Sequence, residues 1–323
     1  MRYIGIDISK LTFVAAFPTE KGFKTKTYKN TAEGVRNFIA ELHSGEDHCV
    51  MEATGNYCFL LIYLLEKARV AASMINPKQS KNFARMLMEV TKTDKRDACL
   101  LALYGQKMTP PPYKLPSEAI IKLKQKRTVV RHLKKQRTAI NNIMEAMNAL
   151  PVIDKSAKKA MEKTLDVLDK QLYVLEEEMV DMTSAEYRRQ MDRLMTIKGI
   201  GATLAAALII STAGFSCFEN AKQVSRYYGL CPTYQQSGTS LNYNGRISHS
   251  GDSYMRGLLY MASLTAIRYN AACKECYDRL KSQNKPSKVA LIAVANKLIR
   301  QAYAVVANDT DYQDGFVSEK SVD

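Results

Sequence analysis

No stretch of the 323-residue chain offers about 18 consecutive apolar residues, so no membrane-crossing helix is expected. Tryptophan is absent. No strongly amphipathic basic helix carries Trp or Phe anchors, which removes the usual means of lying on a membrane surface. The opening MRYIGIDISK lacks the apolar core of a secretory leader, so the protein is expected to stay in the cytosol. Cysteine is sparse and odd in number: seven, at 49, 58, 99, 217, 231, 273 and 276. That fits reduced thiols rather than a disulfide framework. Cys273 and Cys276 form one CxxC, but no second CxxC or HxxxH supplies the other two ligands of a structural zinc site.

Acid is short relative to base. Asp and Glu number 32 against 47 Lys and Arg, a net charge of +15. An excess of that size points to a polyanionic partner, and nucleic acid is the first expectation. Hydrophobic residues make up 46%, a globular composition. The length suits two domains or more, since single cores stop growing near ~250–300 residues.

The first 108 residues read as an α/β domain. YIGIDISKLTFVAAF (3–17) gives two short strands, and FKTKTYK (23–29) alternates as a third. A helix follows, with Val35, Phe38, Ile39 and Leu42 at helical spacing. HCVMEATG holds a strand ending at Glu52, YCFLLIYLLEKA a buried helix and VAASMI a fifth strand. PKQSKNFARMLM and DKRDACLLALYG are helices. Three prolines in TPPPYKLP (109–116) cannot continue a helix and mark a boundary.

Residues 109–186 read as a spacer built on a long helical hairpin or coiled coil. From Lys114 to Arg137 there are nine Lys or Arg and one acid, Glu118, with Arg127 breaking the apolar stripe. Met161, Leu165, Leu168, Leu172, Leu175, Met179 and Met182 then step by four and three, a heptad stripe. Lys122, Lys126, Arg127 and Arg131 are candidate phosphate contacts, against the alternative of a solvated amphipathic pair. Residues 187–308 form a third domain. Lys198, Gly199 and Gly201 in IKGIG resemble the turn of a helix-hairpin-helix, whose exposed backbone amides suit phosphate. The alternative is a tight turn between packed helices. GLCPTYQQSGTSLNYNGRISHSG reads as a long polar loop, and SKVALIAVANKLIRQAYAVV as an apolar helix. The tail, 309–323, reads as frayed.

The chemistry concentrates in carboxylates. Asp7 and Glu52 each end an apolar strand, and Asp94 and Asp97 share one face of a later helix. A buried carboxylate costs several kcal/mol unless compensated. Four in one crevice would repel and partly protonate. Two Mg²⁺ (or Mn²⁺) ions would remove that cost and clamp the attacking and leaving oxygens of a phosphodiester. Lys92, Lys95 and Arg96 around the paired aspartates suit a nucleic-acid backbone. Alone, Asp94 and Asp97 also fit a solvated helix start. Their order after Asp7 and Glu52 resembles the ribonuclease H-like fold and the RuvC-type junction resolvases. Sugar kinases and actin-like ATPases share an IGID-like strand, but this chain lacks their Gly-rich phosphate turns and any DxGGT-like stretch. Ser237, before Gly238, stands in a polar stretch with Arg246, His249 and Arg256. By spacing alone that is an ordinary surface loop.

Six motifs together carry a resemblance over nearly the whole chain: GIDISK, MEATGNY, KTDKRDA, IKGIG, GLCPTYQQSG and GRISHSGDSYMR. They are similar to those of insertion-sequence transposases of the "one-ten" family, its "eleven-eleven" branch and the related pilin-gene invertase. The resemblance implies a RuvC-like DEDD domain, a coiled coil and a mostly α-helical transposase domain bearing a catalytic serine. The tetrad falls on Asp7, Glu52, Asp94 and Asp97, and the serine on Ser237. The partners implied are donor and target double-stranded DNA, a structured bridge RNA as guide, and further copies of the chain in a dimer or tetramer. The setting implied is the bacterial cytoplasm, at the nucleoid. The family often has lysine where this chain has His249. The rival expectations are a metal-dependent junction nuclease and a non-catalytic nucleic-acid-binding protein.

Overall fold

The computed structural model describes residues 1–53, 55–89, 91–237, 241–248 and 251–315, with backbone only at 234–237 and 241–246. The chain divides into two compact units, Met1–Leu115 and Pro116–Asp323.

Unit 1 is a five-stranded mixed sheet in the order β3-β2-β1-β4-β5. The strands are β1 (Arg2–Ile8), β2 (Thr12–Thr19), β3 (Gly22–Lys29), β4 (Asp47–Glu52) and β5 (Ala71–Ile75). The first three form an antiparallel meander, while β4 and β5 run parallel to β1. Side-chain alternation sorts the core into two faces. Ile4, Ile6, Cys49 and Met51 pack with α1 (Ala32–Ile39) and α2 (Phe59–Lys67) through Val35, Phe38, Leu61 and Leu65. Opposite them, Val50, Ile75, Val14 and Ala16 meet α3 (Pro77–Met86) and α4 (Asp94–Met108) through Phe83, Ala98, Leu101 and Tyr104.

Two glycines let α4 lie close to the sheet. A Cβ on Gly5 would stand 2.0 Å from the Ala98 carbonyl oxygen and 2.2 Å from the Ala102 nitrogen. A Cβ on Gly105 would stand 2.7 Å from the Tyr3 ring. The helix therefore runs antiparallel over β1, and its first turn reaches past Gly5 toward Asp7. The proline stretch is not a bare linker. Tyr113 N–H donates to the Ala72 carbonyl at 2.7 Å, extending the β5 edge. Ser73 Oγ bonds the Pro110 and Pro111 carbonyls. Unit 1 thus runs to Leu115, beyond the boundary read after residue 108, because these hydrogen bonds and the packing of Tyr113 and Leu115 against the core hold the proline stretch to the sheet.

Unit 2 opens with the hairpin of α5 (Glu118–Asn148) and α6 (Lys155–Glu186). It continues with α7 (Arg188–Met195), α8 (Ala202–Thr212), α9 (Ala221–Tyr227), α10 (Ser253–Tyr269), α11 (Ala271–Ser282) and α12 (Ser287–Ala307). The hairpin and the later helices, read from sequence as two domains, share one core. Ile120, Leu123 and Val130 of α5 and Leu172 and Met179 of α6 join Leu204–Ile210, Leu259 and Leu298 in a single cluster. By length and composition α12 could cross a membrane, but here it lies in that core with Val294, Ala295, Leu298 and Ile299 fully buried.

Two corrections concern polar segments. The stretch read as a long loop holds an antiparallel pair, β6 (Pro232–Ser237) and β7 (Leu241–Ile247). The tail read as frayed is docked over its first residues. Asp309 pairs with Arg189 and Arg193, and Asp311 with Arg193. The Tyr312 hydroxyl bonds Asn270 Oδ1 at 3.0 Å, and its N–H donates to Thr196 Oγ1 at 2.8 Å. Residues 316–323 lie outside the described residues.

Candidate functional site

The parallel strands of unit 1 end together. Ile6 pairs with Met51, so Asp7 and Glu52 follow one step on, side by side at the carboxyl edge of the sheet. That edge is where open α/β sheets bind ligands. Thr93 caps α4, its hydroxyl accepting from the Arg96 amide, and puts Asp94 and Asp97 in the first turn. The helix N-terminus favours their negative charge. All four carboxylates line one crevice of about 720 Å³, with Ser9, Ser80, Lys81, Arg85, Glu89 and Lys92.

The electrostatics show how closely these groups act on one another. The Asp7 carboxyl is pushed up to about 6, by burial first and then by the negative fields of Asp97, Asp94 and Glu52. Asp97 is raised as well, by burial first, with Asp94, Glu52 and Glu89 adding and Lys92 opposing. The crevice therefore holds more negative charge than its own cations neutralise. Among the described residues no three carboxylate, imidazole or thiol side chains are placed to hold a metal ion by themselves. Mg²⁺ does not require such a trio, because it keeps several waters and takes one or two carboxylates plus substrate phosphate oxygens. An open set of hard oxygen donors, with Asp7 half-buried and uncompensated, fits a hard divalent cation.

Sequence reasoning missed two polar residues here. Ser80 of α3 donates to Glu52 Oε2 at 2.7 Å and fixes that carboxylate. Glu89 enters the crevice and pairs with Arg96. Neither belongs to an acidic motif. The spacing of Ser80 was readable only once Glu52 was known to face α3. Of the basic residues expected beside the aspartates, Lys92 lines the crevice, Lys95 is exposed on the first turn of α4, and Arg96 is engaged by Glu89.

In unit 2 the expected nucleic-acid contacts divide. Acids on α6 answer bases on α5: Lys126 with Glu178, Lys134 with Glu176 at 2.5 Å, and Arg137 with Asp169 at 2.7 Å. Arg127 and Arg131 both turn to Asp252, the N-cap of α10, and lie over the Tyr254 ring. Among the described residues Lys122 makes no ion pair and is exposed. Gly199 has φ +107°, and a Cβ there would meet Ala266 Cβ of α10 at 2.9 Å. The Lys198 carbonyl accepts from Asn270. The glycine turn is thus docked on the helices below it, while Gly201 caps α8 on the exposed side. Arg256 donates to the Tyr228 carbonyl at 3.0 Å. Ser237 ends β6, paired in register with Leu241, and Arg246 lies in β7. Gly238 and His249 are outside the described residues.

A carboxylate quartet stands at the open edge of a mixed sheet in a strongly basic chain, and the class of the protein is a transposase or DNA recombinase. A DEDD transposase family of the IS110 type matches residues 4–149, and the transposase IS116/IS110/IS902 family matches residues 191–278. The chain belongs to this IS110-type transposase family. A pilin gene-inverting protein of Moraxella bovis is 31% identical over 96% of this chain and 97% of its own. A second pilin gene-inverting protein, from Moraxella lacunata, is also 31% identical over 96% and 97%. A probable family 20 transposase of Pseudomonas aeruginosa is 28% identical over 49% of this chain and 46% of its own.

Proposed function

We propose that this transposase is a site-specific recombinase that cuts and rejoins DNA through a serine–DNA link, dependent on a divalent metal and guided by a structured RNA. The observation that carries the reading is the convergence of Asp7, Glu52, Asp94 and Asp97 on one crevice. Its support beyond that is family membership, an architecture compatible with a RuvC-like domain, and the net charge of +15. Those four carboxylates would hold Mg²⁺ or Mn²⁺, which would supply positive charge to the scissile phosphate. Ser80 keeps Glu52 turned into the crevice.

Ser237 is the nucleophile in this reading. Its hydroxyl loses a proton and attacks the DNA phosphorus, one bridging P–O bond breaks, and the freed strand end takes up a proton as a sugar hydroxyl. Rejoining reverses the balance, with a hydroxyl of the new strand displacing the serine. A serine hydroxyl is weak at neutral pH and needs a base or metal to activate it. Donor and target duplexes are both substrates, and strand exchange between them calls for a dimer or tetramer. Exposed Val167 and Val174, one heptad apart on the outside of the hairpin, support such an assembly.

The test is a denaturing gel of DNA incubated with the full chain, its guide RNA and Mg²⁺. The wild type is expected to give cleaved DNA and a covalent protein–DNA adduct. Ser237→Ala should lose the adduct, and Asp94→Asn should lose both while its circular dichroism stays native. Normal strand exchange by Ser237→Ala overturns the serine step and leaves a metal-dependent nuclease. Full recombination by Asp94→Asn removes the carboxylates from the chemistry.

A further inference from the structure

A polyanion has to enter a crevice that is itself negative. Asp7, Glu52, Glu89, Asp94 and Asp97 all line it, and each repels a DNA strand. Three cations line it as well, Lys81, Arg85 and Lys92. Lys92 stands beside the cap of α4 on the aspartate side of the crevice. Arg96 is occupied by Glu89. The other two lining cations, Lys81 and Arg85, are both on α3.

The placement of α3 is fixed by its cap and by its inward face. Pro77 starts the helix directly after β5, and Asn76 and Gln79 close a reciprocal capping box. Ser80 ties it to Glu52, and Phe83 is buried against Tyr104 with ring centroids 5.2 Å apart. With Ser80 and Phe83 turned inward, Lys78, Lys81 and Arg85 recur at steps of three and four and form one outward stripe. Among the described residues none of the three makes an ion pair or side-chain hydrogen bond, unlike Lys126, Lys134 and Arg137 of α5. The stripe spans about 10 Å of helix axis at 1.5 Å per residue. That is room for about three successive phosphates, spaced about 3.4 Å per strand along a duplex axis. Beyond it Met86, Leu87 and Met88 are exposed, so the unit's own core leaves this side of the crevice uncovered.

We infer that α3 is a phosphate rail: Lys78, Lys81 and Arg85 bind consecutive backbone phosphates of the DNA strand entering the carboxylate crevice. The inference rests on the crevice being the DNA-cutting site, but the rail acts at the binding step and can be read without cleavage. Phosphate contact by one face of a short helix carries no base information, so the rail holds strand and register rather than sequence.

The experiment uses the full chain with its guide RNA, in the Asp94→Asn background so that nothing is cut, with Ca²⁺ in place of Mg²⁺. Duplex DNA affinity is measured against salt, and ethylation interference maps the phosphates that matter. Removing Lys81 and Arg85 together (K81A/R85A) is expected to lower the slope of log K against log salt by about 2, at about 0.9 per lost contact. Two or three consecutive phosphates on one strand should interfere with the parent protein and cease to interfere with K81A/R85A. Both side chains are exposed, and an unchanged thermal melt shows that the fold survives. An unchanged slope, or the same interfering phosphates in both proteins, overturns the rail. A loss of guide-RNA affinity with DNA affinity intact overturns it too and hands the stripe to RNA. If K81A/R85A behaves as expected while the wild type never cuts DNA, the rail stands and the proposed chemistry falls.

Discussion

Asp7 is held where a carboxylate is costly, and the cost is visible without metal. Burial and three neighbouring acids disfavour its charged form, so at neutral pH the charged residue weakens the fold. Asp7→Asn is expected to abolish recombination yet raise the melting temperature in chelator. A gain of about 4 °C in the unit 1 transition would follow from about 1 kcal/mol surviving solvent screening. A lower Tm would show that Asp7 supports the fold instead. Asp47 behaves in the opposite way. Burial pulls its pKa up, but the Arg2 hydrogen bonds, the His43 amide and the Arg2 charge outweigh that and leave it depressed. Its stabilising contribution is therefore complete above the unfolded carboxylate's pKa of about 3.9 and is lost as pH falls through the lower folded value. Asp47→Asn should cost about 1–3 kcal/mol at pH 7 and flatten the acid limb of a Tm–pH curve. An acid limb identical to the wild type would remove Asp47 as its source. At this scale the sequence was readable where a residue's chemistry is unusual for its place. A carboxylate ending an apolar strand announces itself, as Asp7 and Glu52 did. Ser80 and Glu89 did not, because a serine on a polar helix or a glutamate in the connection after it is unremarkable until its neighbour is known.

Among the elements, the most constrained contact is α4 on β1. Nothing flexible can yield at Gly5, since the atoms a Cβ would strike are the backbone of Ala98 and Ala102. Gly5→Ala should cost about 1–3 kcal/mol of unit 1 stability in denaturant titration. It should also reduce activity in proportion to the displacement of Asp94 and Asp97. Stability within about 0.3 kcal/mol of the wild type would mean α4 is less tightly seated than its packing indicates. The strands and helices of unit 1 were legible because each has one buried face and a clean period. The β6–β7 pair was not. PTYQQS has one large apolar residue, Tyr234, and the alternation of Leu241, Tyr243 and Ile247 in LNYNGRI is interrupted by Gly245 and flanked by Gly- and Ser-rich chain, so turn-forming composition reads as loop. Arg127 was legible only as a flaw in the α5 stripe. The structure supplies the reason, a carboxylate at the start of α10 that a helix-period pattern cannot foresee. The separate spacer was misplaced for a related reason: a heptad stripe announces burial but not the identity of the partner, and here part of the partner is α8.

For the whole molecule, charge and closure matter most. The ion pairs along the hairpin neutralise much of its base, so a net charge of +15 understates how unevenly free cations are distributed. The docked segment after Asn308 closes unit 2 by joining α7, α10, α11 and α12 through Asp309, Asp311 and Tyr312. A chain stopped after Asn308 should lose about 1–3 kcal/mol from these polar contacts, read as a lower unfolding midpoint of unit 2 with unit 1 unmoved. Equal midpoints would show the docking to be incidental. The shared core of unit 2 has a further consequence, for the chain as it is being made. The cores of unit 1 are built from residues up to Leu115. Unit 2 cannot finish until α12 arrives, because Leu298 and Ile299 cover helices made long before. The 192 residues from 116 to 307 take about 10–40 s at about 5–20 residues per second. During that interval the nascent protein is a folded basic domain trailing uncovered apolar helices, of which α8 is the most exposed to misassembly. Ribosome pausing within α10 or α11 would prolong that interval, and holdase chaperones would find their binding site there.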